Sequence, residues 1–150
     1  MKPSGGWIKF HRYRIVSTDF QVSESFDPSC AVSLHISHDV LITWQTSGIQ
    51  ASQQSRNPED KNPSGDLSFL CRLTLGISSS DGGLIVNVVT DGYFSMSHSV
   101  PEEQRIGLSG KNAPAILYPF VRAYVSSLTS LAGLPGVLLP TINLIQSKSL

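Results

Sequence analysis

The chain carries four histidines, two cysteines and equal numbers of acidic and basic residues, eleven of each, and their spacing decides what chemistry they can perform. His35 and His38 stand three positions apart in a stretch whose apolar residues alternate. On a strand that separation aims the two imidazoles at opposite faces of the sheet, so they chelate one ion only if a bulge intervenes. His38 falls on the apolar parity and reads as a core histidine. Asp91 and His98, on one strand and its exit, also differ in parity. They read as a turn carboxylate and a surface imidazole rather than a proton-transfer dyad. Serines are abundant, but none stands in GxSxG or at a strand-to-helix elbow. Gly5-Gly6 and Gly82-Gly83 lack the GxGxxG and GK[ST] patterns of phosphate cradles, and HExxH, DxDxDG and paired-cysteine spacings do not occur. Glu102-Glu103 reads as a solvated charge pair in a loop. No catalytic constellation, metal site or cofactor motif emerges, which points away from an enzyme.

A chain of 150 residues fits a single domain spanning 1–150. Charged residues make up only 15% of it, against a usual share of about 25%. A neutral, weakly charged domain has little repulsion to keep copies apart, so a homo-oligomer is expected. The balanced charge excludes a general nucleic-acid binder, which needs a basic face. The local excess of Lys2, Lys9, His11, Arg12 and Arg14 reads as a solvated, half-ordered terminus rather than a phosphate-binding arm. Cys30 and Cys71 are distant and form no CxxC, so they read as reduced, buried thiols. The first residues contain no continuous apolar h-region, and the greasiest stretch, Leu131 to Ile145, is cut by Pro135 and Pro140. A cytoplasmic protein without membrane insertion is the expectation.

Positioning falls to a small set of elements. Four segments alternate with period two, the mark of half-buried strands. The cleanest runs through Leu67, Phe69, Cys71, Leu73, Leu75 and Ile77; another through Val32, Leu34, Ile36, His38, Val40, Ile42 and Trp44; a third through Leu84, Val86, Val88, Gly92, Phe94 and Met96. The earliest, through Val16, Phe20 and Val22, is weaker because Arg12 and Arg14 interrupt it. Asp81-Gly82 supplies a hairpin turn between the last two strands, and residues 47–65 form a polar, aperiodic excursion read as a mobile loop. Beyond Met96 the period lengthens: Leu117, Phe120 and Val121, Tyr124, Leu128 and Leu131 predict an amphipathic helix of about four turns. Asn112 is its candidate cap, and Gly133 and Pro135 its stop. The fold class is α+β: a four-stranded antiparallel sheet, one long amphipathic helix, and an apolar Pro-rich C-terminal segment.

The C-terminal third carries a resemblance. Gly92-Tyr93-Phe94-Ser95-Met96, then Asn112-Ala113-Pro114-Ala115-Ile116-Leu117-Tyr118-Pro119-Phe120-Val121-Arg122, then Leu134-Pro135-Gly136-Val137-Leu138-Leu139-Pro140-Thr141-Ile142-Asn143-Leu144 resemble, in order and spacing, the SecB protein-export chaperone family. That resemblance implies an ATP-independent holdase without cofactor, whose subunits pair into a dimer and then a dimer of dimers. It implies that Phe120, Tyr124, Leu128 and Leu131 lie at oligomer interfaces. It implies that Phe26, Leu134, Val137, Leu138, Leu139, Ile142 and Leu144 line grooves for unfolded polypeptide clients. The plain alternative for each of these residues is core packing. Export members of the family carry acidic sheet faces that contact the SecA ATPase, whereas this chain is neutral and places Asn87 where they carry Glu. The wider family also includes chaperones of toxin–antitoxin systems, so the implied partner is SecA or an antitoxin. The competing class is a hotdog-type thioesterase or other small ligand-binding domain. It needs a carboxylate or His aimed at a tunnel beside the helix, where Arg122 is the one charge expected.

Overall fold

The computed structural model describes residues 7–29, 33–45, 66–135, 137, 139 and 140. The expected 47–65 excursion, Cys30 and Val32 lie outside these residues. The elements are β1 (Ile8–Val22), β2 (Leu34–Trp44), β3 (Leu67–Ser79), β4 (Leu84–Met96) and α1 (Glu102–Leu131). The strands form one antiparallel sheet in the order β1-β4-β3-β2, so β1 and β2 are its edges. Helix α1 covers one face.

Alternation explains which face. Phe69, Cys71, Leu73, Leu75 and Ile77 of β3 and Val86, Val88, Phe94 and Met96 of β4 are almost entirely buried beneath the helix. On β2 the same face carries Ile36, Val40, Ile42 and Trp44, which pack half-buried against this core. Strand β1 departs from simple alternation, because register shifts between Phe10 and Arg12 and between Ile15 and Ser17 insert two bulges. The residues paired to the buried parity of β4 are therefore Ile8, Phe10, Tyr13, Ile15, Thr18, Phe20 and Val22. Val16, expected on the apolar face, sits at the second bulge and is exposed. Each bulge shifts the phase by one residue, which is why Arg12 and Arg14 seemed to break the pattern. The same finding overturns the half-ordered terminus: Lys9, His11, Arg12 and Arg14 belong to β1.

The β3–β4 turn is built as its residues suggest. Gly82 takes φ +74°, and the Asp81 carboxylate accepts from the Ser79 hydroxyl (2.5 Å) and the Gly83 amide (2.9 Å). These two bonds hold the Asp81 carboxyl below its ordinary range, the Ser79 bond contributing most.

Helix α1 is far longer than four turns. It starts after Pro101 with Glu102 and Glu103 in its first turn, where carboxylates face the positive end of the helix dipole. This corrects the reading of those glutamates as a loop pair, and it makes Asn112 an interior residue. The helix consequently also carries Arg105 and Lys111. The row Ser109, Ala113, Leu117, Val121, Val125 and Thr129 repeats every four residues and is buried along its whole length. Pro114 and Pro119 each remove one backbone donor inside the helix, and packing of that row offsets the loss. Gly133 then turns the chain at φ +85°, its amide reaching the Ser130 carbonyl at 3.1 Å. No helix among the described residues is long and apolar enough to cross a membrane.

Cys71 is a free thiol in the centre of this core, with none of its surface accessible. Burial, reinforced by the negative charge of Asp91, pushes it from 9.0 up to about 12. The folded state thus favours the protonated thiol, so its contribution is complete below pH 9.0 and is lost as pH climbs toward 12. At 1.36 kcal/mol per unit, Cys71 is expected to cost the protein about 2 kcal/mol of stability near pH ~10.5. Denaturant titrations of the parent and of Cys71→Ala should diverge between about pH 8.5 and about pH 10.5 by that amount. Parallel pH profiles would refute it.

Candidate polypeptide-binding grooves

The tail after α1 folds back along the helix. The Leu134 amide donates to the Thr129 carbonyl at 3.1 Å. The Val137 amide donates to Thr129 Oγ1 at 2.9 Å, and that hydroxyl donates to the Val125 carbonyl at 2.9 Å. Further along, the Tyr118 hydroxyl donates to the Pro140 carbonyl at 2.5 Å. Burial raises the Tyr118 hydroxyl above its ordinary pKa, while nearby Arg122 pulls the other way. These bonds fasten an apolar strip that its prolines keep out of helix and sheet.

Two clefts open at the β2 side of the molecule, and the strip walls one of them. The first, about 130 Å³, is lined by Phe26, Pro28, Leu34, Leu84, Leu134, Pro135 and Val137. Phe26 reaches it because Gly83 has no side chain; a Cβ there would stand 2.8 Å from the Phe26 ring. Three of the residues expected in a client groove, Phe26, Leu134 and Val137, are thus brought together across more than a hundred positions of sequence. Leu139 is not among them: it is fully buried and belongs to the core. Leu138, Ile142 and Leu144 lie outside the described residues.

The second groove, about 500 Å³, runs between the N-terminal half of α1 and the β2 edge, lined by His38, Asp39, Val40, Ile42, Trp44, Ile106, Ser109 and Gly110. Its helix wall is low because Ser109 and Gly110 are small. Nε2 of His38 is buried without a hydrogen-bond partner among the described residues. Together the inward residues of β2, from Leu34 to Trp44, form a track of roughly 33 Å at about 3.3 Å per residue. Among the described residues β2 pairs with β3 alone, so its other edge presents backbone donors and acceptors beside apolar side chains. Sequence reasoning assigned Ile42 and Trp44 to the apolar parity but not to a groove. Their signal was present; that β2 is an edge strand was not.

The opposite flank differs. Phe120 stacks on Tyr13 (4.6 Å between ring centroids) and on Phe10 (5.5 Å), and the Tyr124 and Thr18 hydroxyls are 2.7 Å apart. A further hollow of about 470 Å³ lies here between Trp7, Ile8, Leu108, Asn112, Ala115 and Ile116. Of the four residues expected at interfaces, Tyr124 and Leu128 are half-buried within the subunit, Phe120 is partly exposed, and Leu131 is 88% exposed.

Among the described residues, no three His, Cys, Asp or Glu side chains gather as a metal-holding group. His35 is exposed and His38 half-buried on opposite faces of β2. Asp91 is not a turn carboxylate: it lies in mid-strand, 2% exposed, and accepts from Arg72 Nε at 2.7 Å and Nη2 at 2.8 Å. The walls of both clefts are largely apolar, with His38 and Asp39 the titratable side chains of the second.

A four-stranded antiparallel sheet covered on one face by a single long helix, with apolar clefts at its β2 side, defines an α+β subunit of SecB-like type. The family model described as preprotein translocase subunit SecB matches residues 53–146, and the chain belongs to the SecB family. It is 33% identical over 98 residues to the protein-export protein SecB of Thioalkalivibrio sulfidiphilus, a match covering 63% of this chain. The chain spans just over half, 55%, of that relative's length. An uncharacterized protein of Methanocaldococcus jannaschii is 24% identical over 138 residues, 91% of this chain and 79% of its own. Among solved structures, the fold is similar to the Mycobacterium tuberculosis SecB-like chaperone in complex with a ChAD peptide from the HigA1 antitoxin. The TM-score is 0.65 at 15% identity, covering 90% of this chain and 89% of that one. It is also similar to a protein of unknown function from Streptococcus agalactiae, with TM-score 0.51 at 10% identity, covering 89% and 97%.

Proposed function

We propose that this protein is a one-domain, ATP-independent cytoplasmic holdase that binds extended apolar segments of non-native polypeptide along its β2 side. The observation that carries the reading is the β2 edge, unpaired among the described residues, beside an open groove with apolar walls. An extended chain can satisfy its backbone there while its side chains enter the clefts. Relatives described as an export protein and as a chaperone holding an antitoxin peptide support this use of the fold. Apolar contact is non-directional, so clients share chemistry rather than sequence.

Ile42→Ser with Trp44→Ser is expected to weaken binding of a permanently unfolded, labelled polypeptide about tenfold, since one buried apolar side chain contributes roughly 1.5–3 kcal/mol. Fluorescence anisotropy on the folded double variant measures this. Parent-like affinity in a variant with a native circular dichroism spectrum would sink the groove assignment.

The same reading includes self-association. On α1 the exposed positions after Lys111 are Asn112, Ala115, Pro119, Phe120, Ala123, Ser127, Ser130 and Leu131, none of them charged. A helix face meant for water normally carries charge. The face suits a second copy, with the Phe120 and Leu131 side chains at the contact. Ala123→Glu with Leu131→Glu is expected to raise the oligomer's dissociation constant about tenfold or more, because a buried carboxylate must be desolvated. Light scattering that shows an unchanged assembly would reject the helix face as the interface.

A further inference from the structure

The sheet face opposite the helix carries a group of cations that the groove reading does not use. Pairing across the strands brings Arg14, Asp91, Arg72 and Leu41 into one row, and Arg12, Tyr93, Leu70 and Thr43 into the next. Beyond them Lys9 pairs with Ser95, and Ser95 with Ser68. Asp91 is consumed by the two bonds from Arg72. Lys9 Nζ lies 3.3 Å from Asp66. Arg12 stacks its guanidinium 4.2 Å from the centre of the Tyr93 ring. Arg14 is exposed and makes no ion pair among the described residues.

Among the described residues, four cations, Lys9, Arg12, Arg14 and Arg72, face two carboxylates, Asp66 and Asp91, in this corner, and neither Arg12 nor Arg14 has an ion-pair partner. Around them stand Leu41, 56% exposed, with Leu70, Val89 and Tyr93 half-covered. Among the described residues, the one helix lies over the other face. A sheet face that meets only water is predominantly polar.

We propose that this corner is a second docking surface, distinct from the grooves, and that its occupant is an acidic polypeptide segment with interspersed apolar residues. Charge complementarity carries the choice. Planar guanidinium groups bind carboxylates bidentately, and stacking on Tyr93 presets Arg12, which lowers the cost of ordering it. A nucleic acid fits less well: the same face carries Asp39 on β2 and Asp19 on β1 beyond the basic rows, and these oppose a continuous phosphate backbone. The inference is independent of where clients bind.

The test uses the full chain and three probes: a labelled acidic peptide mixing Asp and Glu with Leu and Phe, the same peptide with Lys replacing each acid, and a single-stranded oligonucleotide of equal charge. The acidic peptide is expected to bind, the lysine peptide not to, and raised salt to weaken the complex. Arg12→Ser with Arg14→Ser should weaken it roughly fivefold, the worth of two surface ion pairs, while unfolded-client binding and melting temperature stay at parent values. If the double variant melts early, Arg14→Gln alone repeats the test, since Arg14 makes no side-chain bond among the described residues. Undiminished acidic-peptide binding in a folded variant overturns the proposal. So does a lysine peptide that binds equally, tighter binding of the oligonucleotide, or loss of self-association in the Arg12→Ser, Arg14→Ser protein, which would assign the corner to a second copy. Failure of the Ile42→Ser, Trp44→Ser experiment leaves this result intact, so the two surfaces fail separately.

Discussion

Gly92→Val is expected to destabilise the protein by about 3 kcal/mol, at the upper end of what inserting atoms into a packed core costs. Gly92 lies in the middle of β4, opposite Tyr13 on one side and Cys71 on the other. A Cβ built there stands 2.6 Å from Leu117 Cδ2, 2.6 Å from Phe94 Cε2 and 2.8 Å from Leu117 Cδ1. Neither neighbour can yield. Leu117 belongs to the buried row of α1 and Phe94 stacks on Phe69 at 5.4 Å. Valine adds two methyl groups beyond the Cβ, so the helix must lift from the sheet or the strand must distort. The gain in β-propensity, within a scale spanning about 1 kcal/mol, does not offset this. Urea titration should show the midpoint falling with little change in slope, and thermal melting should drop by about 9 °C on the usual scale for chains of this size. Gly76 is the control. A Cβ there meets the Ser37 hydroxyl at 2.7 Å, but that side chain lies on the uncovered face and can rotate away. Gly76→Ala should therefore cost less than Gly92→Ala. Equal stability of Gly92→Val and the parent would mean that α1 does not approach the sheet this closely.

Close approach of this kind is one reason the fold was only partly legible in the sequence. Strands β2, β3 and β4 announce themselves because one face is buried and the other is not, so parity survives along each of them. Strand β1 hides its parity behind two bulges; only the partner strand shows that Tyr13 and Ile15, rather than Val16, face the helix. The first part of α1 is obscured by Gly107, Gly110, Pro114 and Pro119, all poor helix formers. That segment is helical because Ser109 and Ala113 continue the buried row beneath it, a tertiary cause that local periodicity of large apolar residues does not register. The groove was legible in part. Phe26, Leu134 and Val137 followed from the resemblance and do share a cleft. The β2 groove depends on strand order, and strand order is a property of the whole sheet.

The tail gives the sharpest separation between packing and binding, because its alternate residues have opposite fates. Leu139→Ala is expected to cost about 3 kcal/mol, within the usual range for emptying a buried leucine site. Leu139 is fully buried, and the next residue, Pro140, receives the Tyr118 hydroxyl, so a cavity at Leu139 also loosens the anchor that holds the strip to α1. Val137→Ala removes less. Val137 is half-buried at the wall of the small cleft, and its main-chain bond to Thr129 needs no side chain. Its stability loss should stay near 1 kcal/mol or below, as for modest truncations at partly covered sites. Client affinity should move the other way around. At a concentration of denaturant that leaves both variants folded, Val137→Ala should bind the unfolded probe more weakly than the parent. Leu139→Ala, once corrected for its unfolded fraction, should bind as the parent does. Tyr118→Phe completes the set by removing the hydroxyl without emptying the core, at a cost of about 1 kcal/mol for one hydrogen bond. If Leu139→Ala proved as stable as the parent yet bound clients poorly, Leu139 would belong to the groove and the tail would not be held as described. If it lost stability and kept its intrinsic affinity, one residue of the strip closes the core while its neighbour two positions back lines the cleft.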